Sequence, residues 1–200
     1  MSRIRELTRE IAEALRVTGT IPLIRRYIVL GMFDGLLVSL SAVFASYLRG
    51  VDVNTLRTYA LSGILAVVVA SLWNTLQAEI LERAAEIRRI ERSMFRPLRG
   101  TLIEHAHKIS AIFCIVAHSL APLSGLAVVY IYSSLVEVTQ PDIAFYTTIA
   151  ITAAVLAALG LLYLGELTLR DILKMSALMT SASISLILLL YAVFGSSGIH

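Results

Sequence analysis

The sequence has few charged residues and almost no cysteine. Of its 200 residues, 16% are charged and 58% are hydrophobic, whereas a soluble domain has about 25% charged and about 45–50% apolar residues. The mean hydropathy of +0.81 agrees with this shift. A disulfide-stapled scaffold is excluded because Cys114 is the sole cysteine. The composition therefore indicates a small membrane protein rather than a soluble domain.

Short motifs of nucleotide binding and hydrolysis are also missing. The sequence contains no GxxxxGK[ST] or GxGxxG segment, and no HExxH, GxSxG or paired CxxC segment. ATP-driven transport by this chain alone is therefore unsupported, and no nucleophile–base constellation is visible. We predict that the protein is not an enzyme and that it uses no organic cofactor.

Five stretches are free, or nearly free, of charged residues. About 20 apolar residues cross a bilayer as a helix, and each stretch has 21 to 28 residues. The first contains a single acid, Asp34, and the other four contain no Asp, Glu, Lys or Arg. The stretches are residues 27–48, 58–78, 109–136, 143–165 and 175–200. We therefore predict an all-α, multi-pass integral membrane protein with five transmembrane helices.

The basic residues are distributed unequally between the two sides of the membrane. With five crossings, 15 of the 17 Lys and Arg residues fall on one side, and Arg49 and Arg57 fall on the other. The positive-inside rule makes the rich side cytoplasmic, which puts the N-terminus inside and the C-terminus outside. Because the basic residues are distributed by membrane side rather than gathered on one surface, the net charge of +3 does not indicate nucleic-acid binding. We predict the lipid bilayer as a partner and no nucleic acid.

The pattern divides the chain into four parts. The second span continues as a helix over residues 77–95, Pro97 and Gly100 interrupt it, and residues 101–108 lead helically into the third span. In the N-terminal part, apolar residues recur on one helical face, at Ile4, Leu7, Ile11 and Leu15. The parts are an amphipathic cytoplasmic helix (1–22), the first two spans (23–78), a short cytoplasmic helical segment (79–108) and the last three spans (109–200).

Asp34 is the strongest candidate for a functional residue. A carboxylate inside a span costs roughly 2.5–3.5 kcal/mol on insertion scales and usually faces a bundle interior or a water path. It lies seven residues beyond Tyr27, which is about 10 Å along a helix. Gly31 and Gly35 flank it at a spacing that lets another helix, such as a second copy of the chain, approach closely. The alternative is a structural hydrogen bond to a neighbouring helix.

Other polar residues lie in the second and third spans. His118 falls near the middle of the third span, with Cys114 one turn earlier and Pro122 four residues later. Imidazole and thiolate both bind borderline metals, and an interhelical hydrogen bond is the alternative for His118. Pro122 should kink this span and free a backbone carbonyl. Asn74 and Gln77 are either ion ligands or hydrogen-bonding contacts between helices.

An acidic stripe follows the second span. Glu79, Glu82 and Glu86 fall within about 60° of one another on a helix, and Glu104, His105 and His107 follow on the next helix. Divalent cations bind such rows of carboxylates. The alternative is a solvated face held by the ion pairs Glu79–Arg83 and Glu86–Arg89.

Residues 26–36, RYIVLGMFDGL, resemble the first-span signature of the vacuolar iron transporter family, which includes the nodulin-21-like proteins. That signature is a basic residue, a short apolar run and then Gly-x-x-Asp-Gly-Leu. The predicted layout is also similar: five spans, a cytoplasmic N-terminus and a second span prolonged as a Glu-bearing helix. The connection over residues 79–108 is too short for the family's full cytoplasmic domain, so the chain resembles a reduced, prokaryotic branch, located in the cell membrane.

The resemblance implies a function. Proteins of this family export Fe²⁺ and similar divalent ions, such as Mn²⁺ or Zn²⁺, from the cytoplasm in exchange for protons, as homodimers. The resemblance places Asp34 on the ion path, and it makes Glu79 and Glu82, with Glu86, the metal ligands of the cytoplasmic helices. Where the family has Met and Gly-Glu-Tyr, this chain has ASLWNT at residues 70–75, so Met32 is the substitute sulfur ligand.

The hypothesis from sequence is therefore a proton-coupled divalent-cation transporter. Its alternative is a non-transporting membrane scaffold or metal sensor whose cytoplasmic helices bind a partner. The candidate residues for the transport pathway are Asp34, Met32, Asn74 and His118, and those for metal binding are Asp34, Glu79, Glu82, Glu86 and Glu104.

Overall fold

The computed structural model describes residues 15–16, 18–95, 97–98, 100–164 and 169–195. Most of the predicted N-terminal amphipathic helix, over residues 1–22, lies outside this part of the chain. The described residues form six α-helices and a 3₁₀ helix in the following order: α1 (Thr20–Arg49), α2 (Val53–Met94), α3 (Leu102–Leu120), the 3₁₀ helix (Ala121–Gly125), α4 (Leu126–Val138), α5 (Pro141–Leu164) and α6 (Leu169–Gly195).

Among the described residues, five helical segments are long and apolar enough to cross a membrane, which is the number that the sequence predicts. They are Thr20–Arg49, Val53–Met94, Leu102–Val138, Pro141–Gly160 and Ser176–Val193. The third comprises α3, the 3₁₀ helix and α4. Helix α2 has 42 residues, or about 63 Å of helix, and is therefore much longer than one crossing of a hydrocarbon core of about 30 Å requires.

The helix ends follow from local sequence. Gly50 ends α1 with a positive φ of 60°, and the side chain of Asp52 then caps α2 by accepting a hydrogen bond from the Thr55 N–H at 3.0 Å. Hydrogen bonds from Thr55 hold the pKa of the Asp52 carboxyl below its usual value. Thr101 caps α3 in the same way, by accepting from the Glu104 N–H, and this is where the sequence predicted the helix to begin.

Helix α1 is the centre of the bundle. It contacts each of the other described helices, and it contributes Val29, Leu36, Val43 and Phe44 to the buried core.

The 3₁₀ helix at Pro122 interrupts the third span, as predicted. It packs against α1 so closely that a Cβ added to Gly31 would lie 2.7 Å from the Ala121 Cβ. A Cβ on Gly35 would overlap the backbone of Pro122, and one on Gly125 would overlap the Gly35 carbonyl. The predicted close approach at these glycines is present, but the approaching segment belongs to the same chain rather than to a second copy.

Candidate functional site

The first polar site lies around Asp34 on α1. The Asp34 side chain is half-buried and interacts electrostatically with His118 of α3. Within the part of the chain that the structure describes, its carboxylate forms no hydrogen bond or ion pair, so the structural hydrogen bond that would explain Asp34 as a packing residue is not found there. An acid in this position retains its capacity to bind a proton or a cation.

His118 is held against α1 by its ring nitrogen Nδ1. This atom lies 3.0 Å from the backbone carbonyl oxygen of Tyr27, and the rings of the two residues are 5.4 Å apart at an angle of 56°. Because a carbonyl oxygen only accepts, Nδ1 carries the proton and donates it. The other nitrogen, Nε2, then has a free lone pair in the neutral ring.

The backbone next to His118 is irregular. Pro122 has no N–H, so it cannot form the helical hydrogen bond to the carbonyl four residues earlier, that of His118. This carbonyl oxygen lies 2.7 Å from where a Cβ on Gly31 would be, and it therefore faces α1 one turn before Asp34. Freed carbonyls at breaks of transmembrane helices are typical cation ligands in transporters.

The other candidates for the transport pathway have different surroundings. Met32 is half-buried and packs against the hydrophobic core, whereas Asn74 is exposed on α2. Cys114 is fully buried, but its thiol interacts with Glu79 and Arg83. The structure therefore places Cys114 beside a second polar cluster, although it precedes His118 by one turn.

This second cluster joins α1, α2 and α3 and is centred on the Arg83 guanidinium. We refer to it as the Arg83 network; its members are Tyr27, Glu79, Arg83, Glu86, His107 and Ser110. Arg83 Nε lies 3.1 Å from Glu79 Oε2, and Arg83 Nη1 lies 3.2 Å from Glu86 Oε2. The Tyr27 hydroxyl donates to Glu79 Oε1 at 3.0 Å. Glu79 is 1% exposed, so both of its carboxylate oxygens are bonded inside the bundle.

Helix α3 closes the Arg83 network from the other side. Arg83 Nη2 donates to the Ser110 hydroxyl at 2.8 Å, and Ser110 also forms a short hydrogen bond with Thr20 of α1. His107 is buried, and its Nδ1 lies 3.4 Å from both Arg83 Nη1 and Glu86 Oε2. A single buried guanidinium thus links two carboxylates, an imidazole and a hydroxyl.

The predicted acidic stripe is divided by this arrangement. Glu79 and Glu86 meet at Arg83, while Glu82 is exposed. Glu104 accepts from the Gly100 N–H at 2.7 Å and pairs with Lys108 at 2.7 Å, so it acts at the start of α3. No group of three or more His, Cys, Asp or Glu side chains that could hold a metal ion occurs among the described residues.

Ion pairing along α2 differs in part from the sequence prediction. The Glu79–Arg83 pair is present, but its side chains are only 2% and 12% exposed, so it is buried rather than solvated. Glu86 pairs with Arg83 instead of the predicted Arg89. The sequence did not identify Tyr27 or Ser110 as members of this network. The one sequence feature that indicated a cluster was the shared helical face of Arg83, Glu79 and Glu86.

No protein-family model, curated protein or solved structure matches this chain. The resemblance to the vacuolar iron transporter family therefore depends on the first-span motif and on the arrangement of the spans.

Proposed function

We propose that this protein is a divalent-cation transporter that exports ions such as Fe²⁺ or Mn²⁺ from the cytoplasm by exchange with protons, as a homodimer in the cell membrane. The observation that carries the proposal is the half-buried carboxylate of Asp34, which forms no hydrogen bond or ion pair with any described residue. The resemblance of residues 26–36 to the vacuolar iron transporter signature supports the choice of ion class.

Exchange follows from the electrostatics of a carboxylate in a low-dielectric medium. An ionised Asp34 costs roughly 2.5–3.5 kcal/mol inside a span, and either a proton or a cation relieves this cost. Because the proton and the cation compete for the same oxygens, release of one accompanies binding of the other.

The export direction is the one that the resemblance implies, and the basic residues predict an orientation with the N-terminus in the cytoplasm. In this orientation the extended end of α2 and the Arg83 network lie toward the cytoplasm. We place the ion path at Asp34 and not at the acidic stripe, because Arg83 already compensates Glu79 and Glu86.

Proteoliposome flux tests this proposal. Purified protein should move Fe²⁺ or Mn²⁺ under an imposed pH gradient, and Asp34→Asn should abolish the flux, since Asn has nearly the same shape but cannot release a proton. Glu137→Gln is the matched control, because Glu137 is an exposed carboxylate at the end of α4. Parental flux in Asp34→Asn would make Asp34 a structural residue. No flux of any cation through the parent protein would favour the scaffold or sensor.

A further inference from the structure

We propose that His118 determines the ion specificity of the Asp34 site by donating an imidazole nitrogen, Nε2, to the bound cation. This inference rests on the proposed function, which places a divalent cation at Asp34. It adds a ligand of a different chemical class, and it identifies the preferred substrates as cations that bind nitrogen well.

The orientation of the imidazole supports this role. Ligating histidines almost always donate their second ring nitrogen to a carboxylate or a backbone carbonyl, which fixes the tautomer and aims the other nitrogen at the metal. His118 has this arrangement, because its Nδ1 donates to the Tyr27 carbonyl at 3.0 Å. Contact with the Tyr27 ring also restrains the imidazole.

The surroundings of His118 supply the rest of a cation site. Asp34 contributes a negative charge one helical turn beyond Gly31, the residue that the His118 carbonyl oxygen faces, and this carbonyl lacks its helical partner because of Pro122. Tyr27 and Asp34 are separated by seven residues, so they lie on nearly the same face of α1. The imidazole that contacts Tyr27 is therefore on the same side of α1 as the carboxylate.

The nearby thiol is not part of this site. Cys114 lies one turn before His118 but interacts with Glu79 and Arg83 in the Arg83 network. The ligands of the Asp34 site are therefore nitrogen and oxygen. Imidazole suits Zn²⁺, Fe²⁺ and Ni²⁺, whereas a site of oxygens alone suits Mg²⁺, Ca²⁺ and Mn²⁺. The protein should bind Zn²⁺ and Fe²⁺ in preference to Mg²⁺.

A substitution at His118 can distinguish the roles of the two ring nitrogens. In His118→Asn the amide nitrogen takes the place of Nδ1 and keeps the hydrogen bond to the Tyr27 carbonyl, but nothing replaces Nε2. Zn²⁺ affinity, measured by calorimetry on the full-length protein in detergent, should fall at least about tenfold, while Mg²⁺ affinity stays unchanged. X-ray absorption of bound Zn²⁺ should show imidazole scattering in the parent protein that is weaker in the variant.

The outcomes distinguish this inference from the proposed function. Unchanged Zn²⁺ affinity and scattering in His118→Asn would overturn the role of His118, even if Asp34→Asn still abolishes flux. Absence of cation flux in the parent protein would overturn the proposed function, and this inference with it. If His118→Asn does not fold, His118→Gln decides, because it puts an amide group near the Nε2 position and should likewise weaken Zn²⁺ relative to Mg²⁺.

Discussion

Removal of the Arg83 guanidinium should strongly destabilise the bundle, because the Arg83 network joins α1, α2 and α3. In Arg83→Met the Glu79 carboxylate, which is 2% exposed, would lose its counter-charge while staying buried. Removing one partner of a buried ion pair costs about 3–5 kcal/mol. Glu86 should add little to this loss, because its side chain is 48% exposed and water can solvate it.

The double variant Glu79→Gln/Arg83→Met isolates the reason for this loss. With both charges removed, the Tyr27 hydroxyl can still donate to the Gln carbonyl, and no uncompensated charge remains inside the bundle. The free energy of unfolding should therefore recover by about 1–3 kcal/mol relative to Arg83→Met, since replacing a buried ion pair by neutral groups avoids the cost of an uncompensated buried charge.

Unfolding of the purified protein in mixed micelles, followed by helical circular dichroism, measures these differences. Arg88→Met is the matched control, because Arg88 is exposed on the same helix and donates to the Ala84 carbonyl of its own helix; its effect should stay within about 0.5 kcal/mol. A loss below about 1 kcal/mol for Arg83→Met would refute the claim that this network stabilises the junction of α1, α2 and α3.

Two further predictions concern packing and orientation. Gly35→Ala should cost about 1–3 kcal/mol or more, because its Cβ would overlap the backbone of the 3₁₀ helix. Gly63→Ala should be nearly neutral, since its Cβ would meet only a side-chain methyl group at 3.2 Å; equal losses in a thermal unfolding assay would contradict this account. In a variant without Cys114, cysteines introduced at the exposed positions Glu82 and Gln140 should react with an impermeant maleimide from opposite sides of the membrane. Labelling of both from one side would refute the predicted orientation.

The spans could be predicted from sequence because the physical constraint on them is strong and local. Charge is excluded from hydrocarbon, so gaps between charged residues define the helices without knowledge of any tertiary contact. The break at Pro122 and the start of α3 at Thr101 were predictable for the same reason, since a missing N–H and a capping side chain act within one helical turn.

The identity of contacting partners could not be predicted in this way. The spacing of Gly31 and Gly35 indicated close helix approach, but the approaching segment is the chain's own 3₁₀ helix. Which segment approaches depends on the packing of all the helices and not on the local sequence. The helical wheel placed Glu79 and Glu86 together, yet it did not reveal that α3 would cover them with His107 and Ser110 and so bury Arg83. The tautomer of His118 likewise depends on a carbonyl 91 residues away in the chain.

The most direct test of the central claim is the pH inside proteoliposomes during cation uptake. In vesicles that contain the parent protein and a trapped pH dye, added Fe²⁺ or Mn²⁺ should enter while protons leave, so the lumen should become alkaline. With Asp34→Asn neither change should occur. Cation uptake without a change in luminal pH, or an identical pH change in the Asp34→Asn vesicles, would contradict proton-coupled exchange at Asp34.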